Sequence, residues 1–420
     1  MINILKNQKF NNKKNIFKSI FSLYFLLGMH VYLKHAGVAG LYVPYNIFGW
    51  ITVSILIGIS FWYTIDNKKL IFSKFQIISW MVFFLLLIPM YYPNNELAYL
   101  ATYRLLFIAG GIILYGAFLQ MKFNEEDKNQ LLLLILIAAL MQSFIGLAQY
   151  FGFFKDSIEL FADNMLPFGT FQQKSVMATF QVSGIVISLF FMSKKSRLFN
   201  SKKYILFLLL IPFFSSFLVI LIKSDLGIIC LFLAVFFQLF IIDIRDQKIK
   251  LWFFSLLLGL LVGFNFPAND IDYSNKRTSI DQLDYQNQVR DTDLGILNYS
   301  SSWKIFLENK IIGVGYGKFT RSLRSYLAKN RAESDANIIK LDKYIAYPYN
   351  ELLLWICEGG IIAIVALVIS LFSLLTLIFR NKRSDIFLCL SLLSPILINM
   401  AFDLPFFISF PHWIIFLFLI

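Results

Sequence analysis

Long apolar runs, separated by short polar or charged loops, recur along almost the whole 420-residue chain. They fall roughly at 16–33, 46–64, 76–92, 100–120, 131–153, 175–193, 204–222, 226–243, 251–266, 350–379, 386–401 and 405–420. Most hold the roughly 20 residues that an α-helix needs to cross the hydrocarbon core. The pattern predicts an all-α, polytopic integral membrane protein with about 12 transmembrane helices. The last run is short and is expected to be tilted or incomplete.

One stretch breaks the rhythm. Residues 267–345 are long, polar and charged, and they divide the chain into N-terminal helices (1–266), a large loop (267–345) and C-terminal helices (346–420). A loop of that length in a compact protein is usually functional or disordered. Within it, WKIFLENK and RSLRSYLAK carry apolar residues at helical spacing, which predicts short amphipathic helices.

Composition agrees with the runs. The chain is 58% hydrophobic with a mean hydropathy of +0.68, against about 45–50% apolar in soluble proteins. The net charge of +13 invites a nucleic-acid reading. In so apolar a chain it fits cytoplasmic loops better, because Lys and Arg collect on the side that is not translocated. With the N-terminal Lys6, Lys9, Lys13 and Lys14 inside, the loops 66–74, 121–129, 193–203, 244–250 and 380–385 also fall inside, and all carry Lys or Arg. The short loops 92–99 and 154–172 fall outside and carry almost none. The loop 267–345 then lies outside. No small-residue cleavage site follows the first run, so it is expected to stay.

Cys230, Cys357 and Cys389 sit inside apolar runs at no metal or redox spacing, and His30, His35 and His412 are scattered. No metal site is expected from them.

Four polar islands are placed on the outer face. The first is PFGTFQQKSVMATFQ (167–181), which sets Gln172, Gln173 and Lys174 at the lip of a helix. They either line a cavity or anchor the helix at the interface. The second is Lys276, Arg277 and Arg290. The third, NKIIGVGYGKFTRSLR (309–324), has Gly313, Gly315 and Gly317 alternating with Val314 and Tyr316, then Lys318, Arg321 and Arg324. Arg321 and Arg324 share a helix face and suit bidentate phosphate binding. The glycines either let backbone N–H groups approach that phosphate or merely form a turn before a solvated basic helix. The fourth is AYPYNELLLWICEGG (346–360). Glu351, Trp355 and Glu358 form one stripe, with Glu358 about 10 Å deeper along the helix. An intramembrane acid is a functional candidate by default. Here Glu351, at the mouth, is the functional choice and Glu358 the structural one. Arg104, near the outer end of the fourth run, either snorkels or faces the same cavity.

The order of these stretches resembles the bacterial O-antigen ligase and polymerase superfamily. The resemblance rests on SSWKIFLEN with Trp303, NKIIGVGYGKF, YPYNELLLWICEGG, GTFQQKSVMATF and FDLPFFISFPHW (402–413), and it spans roughly 90–420. The Gln-rich segment and the last stretch are similar to the branch that glycosylates pilins, the protein O-oligosaccharyltransferases. The resemblance implies transfer of a glycan from an undecaprenyl-diphosphate carrier to a periplasmic acceptor, with no cofactor. It gives Arg290, Arg321, Arg324 and Lys318 the donor diphosphate, and Tyr349, Asn350 and Glu351 the catalytic positions. Two residues depart from the family. Tyr349 stands where the family has His, and a phenol of pKa near 10 is a poor base at neutral pH; Ser175 stands where an Asn usually follows the Gln pair. Glu351 then takes the base role, or Tyr349 only orients the acceptor, or the chain is an inactive relative. Other readings are a lipid A core ligase, an O-antigen polymerase and a polysaccharide exporter. Against the exporter, polar residues gather at one face rather than along a path, and no internal repeat is visible.

Overall fold

The computed structural model describes residues 2–33, 43–153, 167–171, 173–194, 201–266, 293–329, 347–348, 350–380 and 382–420. Every regular element among them is helical. The helices are α1 (Ile2–Leu26), α2 (Pro44–Asn67), α3 (Lys74–Leu87), α4 (Thr102–Met121), α5 (Glu125–Tyr150), α6 (Lys174–Ser193), α7 (Lys202–Leu221), α8 (Asp225–Leu239), α9 (Gln247–Asn265), α10 (Asp293–Glu308), α11 (Phe319–Lys329), α12 (Glu351–Phe379), α13 (Arg383–Phe402), α14 (Pro405–Ile408) and α15 (Phe410–Leu419). Nine of the described helical stretches are long and apolar enough to cross a membrane. The chain is a multi-pass membrane protein. The expected count of 12 is reduced because α8 and α15 are apolar but short, and because the first half of α1 is polar. The predicted loop helices exist as α10 and α11, while 267–292 and 330–346 lie outside the described residues.

Local sequence sets the helix starts. Pro44 opens α2, where its missing N–H costs nothing. Ser73 and Ser224 cap α3 and α8. Asn124 and Asp127 form a reciprocal capping box on α5. α6 is almost wholly enclosed, packed by α5, α7, α8 and α13. It tolerates Ser175, Thr179, Gln181 and Ser188 because each is hydrogen-bonded.

The segments that charge assigned to one side meet at one end of the bundle. Lys13 pairs with Asp66, Lys18 with Asp127 at 2.6 Å, and Lys194 Nζ donates to Asn129 Oδ1 at 2.6 Å. Lys14 Nζ donates to the Lys122 carbonyl at 2.9 Å. These contacts join α1 to the end of α2, to the loop after α4 and to the start of α5, and they join the residue after α6 to α5.

At the opposite end, α12 is broken at Gly360, whose φ of 61° and ψ of −144° are not helical. α12 has 29 residues, ~43 Å at 1.5 Å per residue, whereas the antiparallel α13 that follows has 20, ~30 Å. Yet the Glu351 N–H donates to the carbonyl of Asp403, the residue after α13, at 3.1 Å. The surplus length is therefore turned aside at Gly360, and residues 351–359 run across the bundle end. The contacts of this segment agree: the Tyr92 hydroxyl, beyond α3, donates to the Gly359 carbonyl at 3.4 Å, and Arg104, in the first turn of α4, pairs with Glu358. Glu358 is thus level with the ends of α3 and α4, which corrects the expectation that it lies about 10 Å deeper than Glu351.

Candidate functional site

The start of α12 is pinned by Asn350. Its Oδ1 accepts from the Leu353 N–H at 2.8 Å, and its Nδ2 donates to the Ala401 carbonyl at 2.8 Å. This residue, expected at the reaction centre, is a helix cap that also ties α12 to α13. Glu351 follows, buried, with Oε2 accepting from the Phe406 N–H at 3.2 Å in the first turn of α14. Tyr349 and Gln172 lie outside the described residues.

Asp403 closes the cluster. Its Oδ2 accepts from Gln173 Nε2 at 2.8 Å and from the Ser175 hydroxyl, and its Oδ1 accepts from the Leu404 N–H at 2.9 Å. The ends of α6, α12 and α13 therefore meet at one buried residue, α6 through the Asp403 carboxylate and α12 through the Asp403 main-chain carbonyl. Gln173 Oε1 is buried and accepts no hydrogen bond, which leaves it able to accept one from a hydroxyl group. Lys174, the next residue, is half-buried. One layer further in, Thr179 Oγ1 lies 3.0 Å from His412 Nε2 and accepts from Asn399 Nδ2 at 3.1 Å; His412 Nδ1 lies 2.7 Å from Ser409 Oγ. Asp403 was within reach of sequence reasoning. It is an acid between two apolar runs, just before a Pro, in a stretch already singled out for its resemblance.

A second cluster lies two helical turns along α12. Glu358 pairs with Arg104, and both are buried. The guanidinium also lies 4.9 Å from the Trp355 ring centre and 5.8 Å from that of Tyr316, within cation–π range. Its Nη1 is buried without a hydrogen bond. Arg104 thus neither snorkels nor lines an open cavity. Glu358 Oε1 accepts from the N–H groups of Gly317 at 2.9 Å and Phe319 at 3.4 Å. It therefore caps α11 from another helix, placing a negative charge at a helix N-terminus where it is favourable.

The glycine string is not a phosphate cradle. The N–H groups of Gly313, Gly315 and Gly317 donate to Asn309 O, Glu358 O and Glu358 Oε1, so none is left for a ligand. Their φ values of +73°, +89° and +77° explain the residue choice. A Cβ on Gly313 would lie 2.6 Å from the Glu358 carbonyl group. The turn thus packs backbone to backbone into the break of α12, and Val314 N–H completes it by donating to the Cys357 carbonyl at 2.8 Å. The Tyr316 hydroxyl donates to the Leu86 carbonyl at 2.7 Å. Burial holds that phenol well above its usual pKa, so it stays a donor.

α11 buries Phe319, Leu323 and Leu327 and turns Arg321 and Arg324 to the exposed side. Lys318 Nζ donates to the Asn94 carbonyl at 2.8 Å. Beside it, a cleft of about 410 Å³ is lined by Tyr92, Asn95, Glu308, Lys310, Gly313 and Lys318 among others, and by none of Gln173, Glu351 or Asp403. Arg290 lies outside the described residues. The structure therefore brings islands one, three and four to one end of the bundle, as two clusters ~10 Å apart along α12.

The family model described as O-Antigen ligase matches residues 210–368, less than half of the chain. The match supports the O-antigen ligase superfamily, whose members are ligase-type membrane glycosyltransferases acting on lipid-linked glycans. It covers the glycine turn, α11 and the 351–359 segment. Arg104, Gln173 and Asp403 lie outside it. Among curated proteins, none matches the chain.

Proposed function

We propose that the protein is an inner-membrane oligosaccharyltransferase that moves a glycan from an undecaprenyl-diphosphate carrier to a hydroxyl of a pilin-type protein on the periplasmic side. The observation that carries this reading is the convergence of the ligase-matched segment with Gln173 and Asp403 at one end of the bundle. In the reaction, the acceptor oxygen bonds to the anomeric carbon and the bond from that carbon to the diphosphate oxygen breaks. The acceptor proton passes to the Glu351 carboxylate. The leaving diphosphate gains charge, which Arg321 and Arg324 on the exposed face of α11 stabilise, together with Arg290 and Lys318. Glu358 and Arg104 act one step back, by fixing the start of α11. Gln173, held by Asp403, orients the acceptor through Oε1, and Lys174 lines the same lip. The pilin acceptor rests on the resemblance of the Gln-rich segment and of residues 402–413 to the pilin-glycosylating branch. Lipid A core and a growing glycan are the alternative acceptors of the same chemistry.

The test is co-expression with a lipid-linked glycan pathway and a pilin, followed by intact-mass measurement of the pilin. A mass gain equal to the glycan supports the proposal. An unmodified pilin together with elongated or ligated polysaccharide would redirect the acceptor.

A further inference from the structure

α10 and the turn after it bury one face and leave a stripe of large apolar residues uncovered on the other. Asn298, Ser301, Ser302, Ile305 and Phe306 are buried. On the other side Trp303, Leu307 and Ile311 follow at helical spacing, 49%, 42% and 74% exposed, with Ile312 at 52%. A run of large apolar side chains left uncovered and flanked by cations marks a non-aqueous neighbour, as on a helix that lies in a membrane interface.

The position of the turn identifies that neighbour. The Ile361 N–H donates to the Ile311 carbonyl at 3.2 Å. Ile361, also exposed, opens the apolar stretch of α12 that continues to Phe379. Ile311 therefore lies where α12 leaves the hydrocarbon. Tyr91, Tyr99 and Tyr103 are exposed at the same ends of α3 and α4, as aromatic residues are at a membrane interface. Lys304 and Lys310 are exposed beside the apolar stripe, and Glu308 shares that flank. Their long stems can follow apolar surface while the ammonium groups reach headgroups.

We infer that residues 303–312 are an interfacial anchor: Trp303, Leu307, Ile311 and Ile312 enter the lipid leaflet at this end of the bundle, and Lys304 and Lys310 engage its anionic headgroups. The surface is continuous with the lipid-facing side of α12, and its flanking cations match the headgroup charge. The inference does not depend on the reaction proposed above. Its consequence is mechanical, because the anchor leads directly into the glycine turn and fixes α11 at headgroup level.

The test uses the unmodified chain in nanodiscs of phosphatidylcholine and phosphatidylglycerol. A membrane-partitioning carbene photoprobe should modify the peptide spanning 303–312 as it modifies the exposed Phe254 of α9. A second measurement uses Ile311→Cys, carrying a nitroxide, in a chain with Cys230→Ala, Cys357→Ala and Cys389→Ala. Collision with oxygen and with a water-soluble nickel chelate should place 311 with Ile361→Cys, shifted to the lipid-like side of Ser325→Cys on α11. The inference is overturned if 311 follows 325, if 311 is shielded from both reagents by a protein partner, or if the photoprobe marks Phe254 and leaves 303–312 untouched.

Discussion

Arg104 and Glu358 form a buried ion pair that joins the first turn of α4 to the segment of α12 before its break. Taking one member away strands the other charge in the interior. Such a loss costs about 3–5 kcal/mol, whereas replacing both partners by packed neutral groups is often far milder. Arg104→Met alone should therefore sharply lower the thermal unfolding midpoint in detergent, and Arg104→Met with Glu358→Gln should recover part of the loss. A single variant as stable as the parent would mean that the pair is not formed.

The glycine turn makes a prediction that separates backbone need from flexibility. Gly317 has φ +77°, and a Cβ there would lie 2.2 Å from the Leu97 carbonyl oxygen. Gly317→Ala should destabilise by ~1–3 kcal/mol through strain and contact together. Gly58, inside α2, has open space around its Cβ position, so Gly58→Ala should be neutral or raise stability by up to ~1 kcal/mol. Equal midpoints for the two variants would remove the close approach from the account.

Much of this architecture was legible in the sequence. Apolar runs of spanning length located the helices, and the lysine asymmetry grouped loops that do meet, as Lys18 and Asp127 show. Spacing also gave Arg321 and Arg324 a shared outward face. What could not be read was pairing between distant segments. Arg104 and Glu358 were noticed separately, 254 positions apart, and only the fold joins them. The break at Gly360 was hidden because a Gly-Gly pair in an apolar run continues a helix as readily as it ends one. The glycine turn misled for a related reason. A glycine string shows that backbone comes close to something, and here that something is the carbonyl and carboxylate of Glu358 rather than a phosphate.

Asp403 and Gln173 allow a test by exchange. Asp403 Oδ2 accepts both from Gln173 Nε2 and from Ser175. Asp403→Asn can turn an amide N–H₂ toward one of these donors, and a buried unmatched polar group costs ~1–3 kcal/mol. Adding Gln173→Glu restores an acceptor opposite the new donor, so the double variant should unfold nearer to the parent than Asp403→Asn does. Transfer should remain low in both, because Gln173 Oε1 and the start of α12 are no longer held as before. Full transfer by Asp403→Asn would exclude the carboxylate from the site.

Arg321 and Arg324 are exposed, and exposed substitutions away from special features usually change stability by no more than about 0.5 kcal/mol. Arg321→Ala and Arg324→Ala should therefore keep normal membrane levels and unfolding midpoints while losing glycan transfer. Arg321→Lys keeps the charge but loses the planar fork, so it should recover only part of the activity. Wild-type transfer in both alanine variants would detach α11 from donor binding.

The last prediction concerns the proton. If Glu351 is the base, Glu351→Gln should abolish transfer, because the amide is nearly isosteric but takes no proton at neutral pH. One cost is structural. Glu351 Oε2 accepts from the Phe406 N–H, and the amide oxygen of Gln can keep that bond, so insertion and folding should survive. Tyr349→Phe should be mild, since under this reading its hydroxyl only positions the acceptor. Tyr349→His restores the residue the family carries, a group of pKa near 6.5 able to serve as base, and should keep or raise activity. Intact-mass measurement of a co-expressed acceptor reads all three variants. A fully active Glu351→Gln beside an inactive Tyr349→Phe would transfer the role to the phenol. Activity that is absent in the wild type and gained in Tyr349→His would instead mark the chain as an inactive relative that lacks only its base.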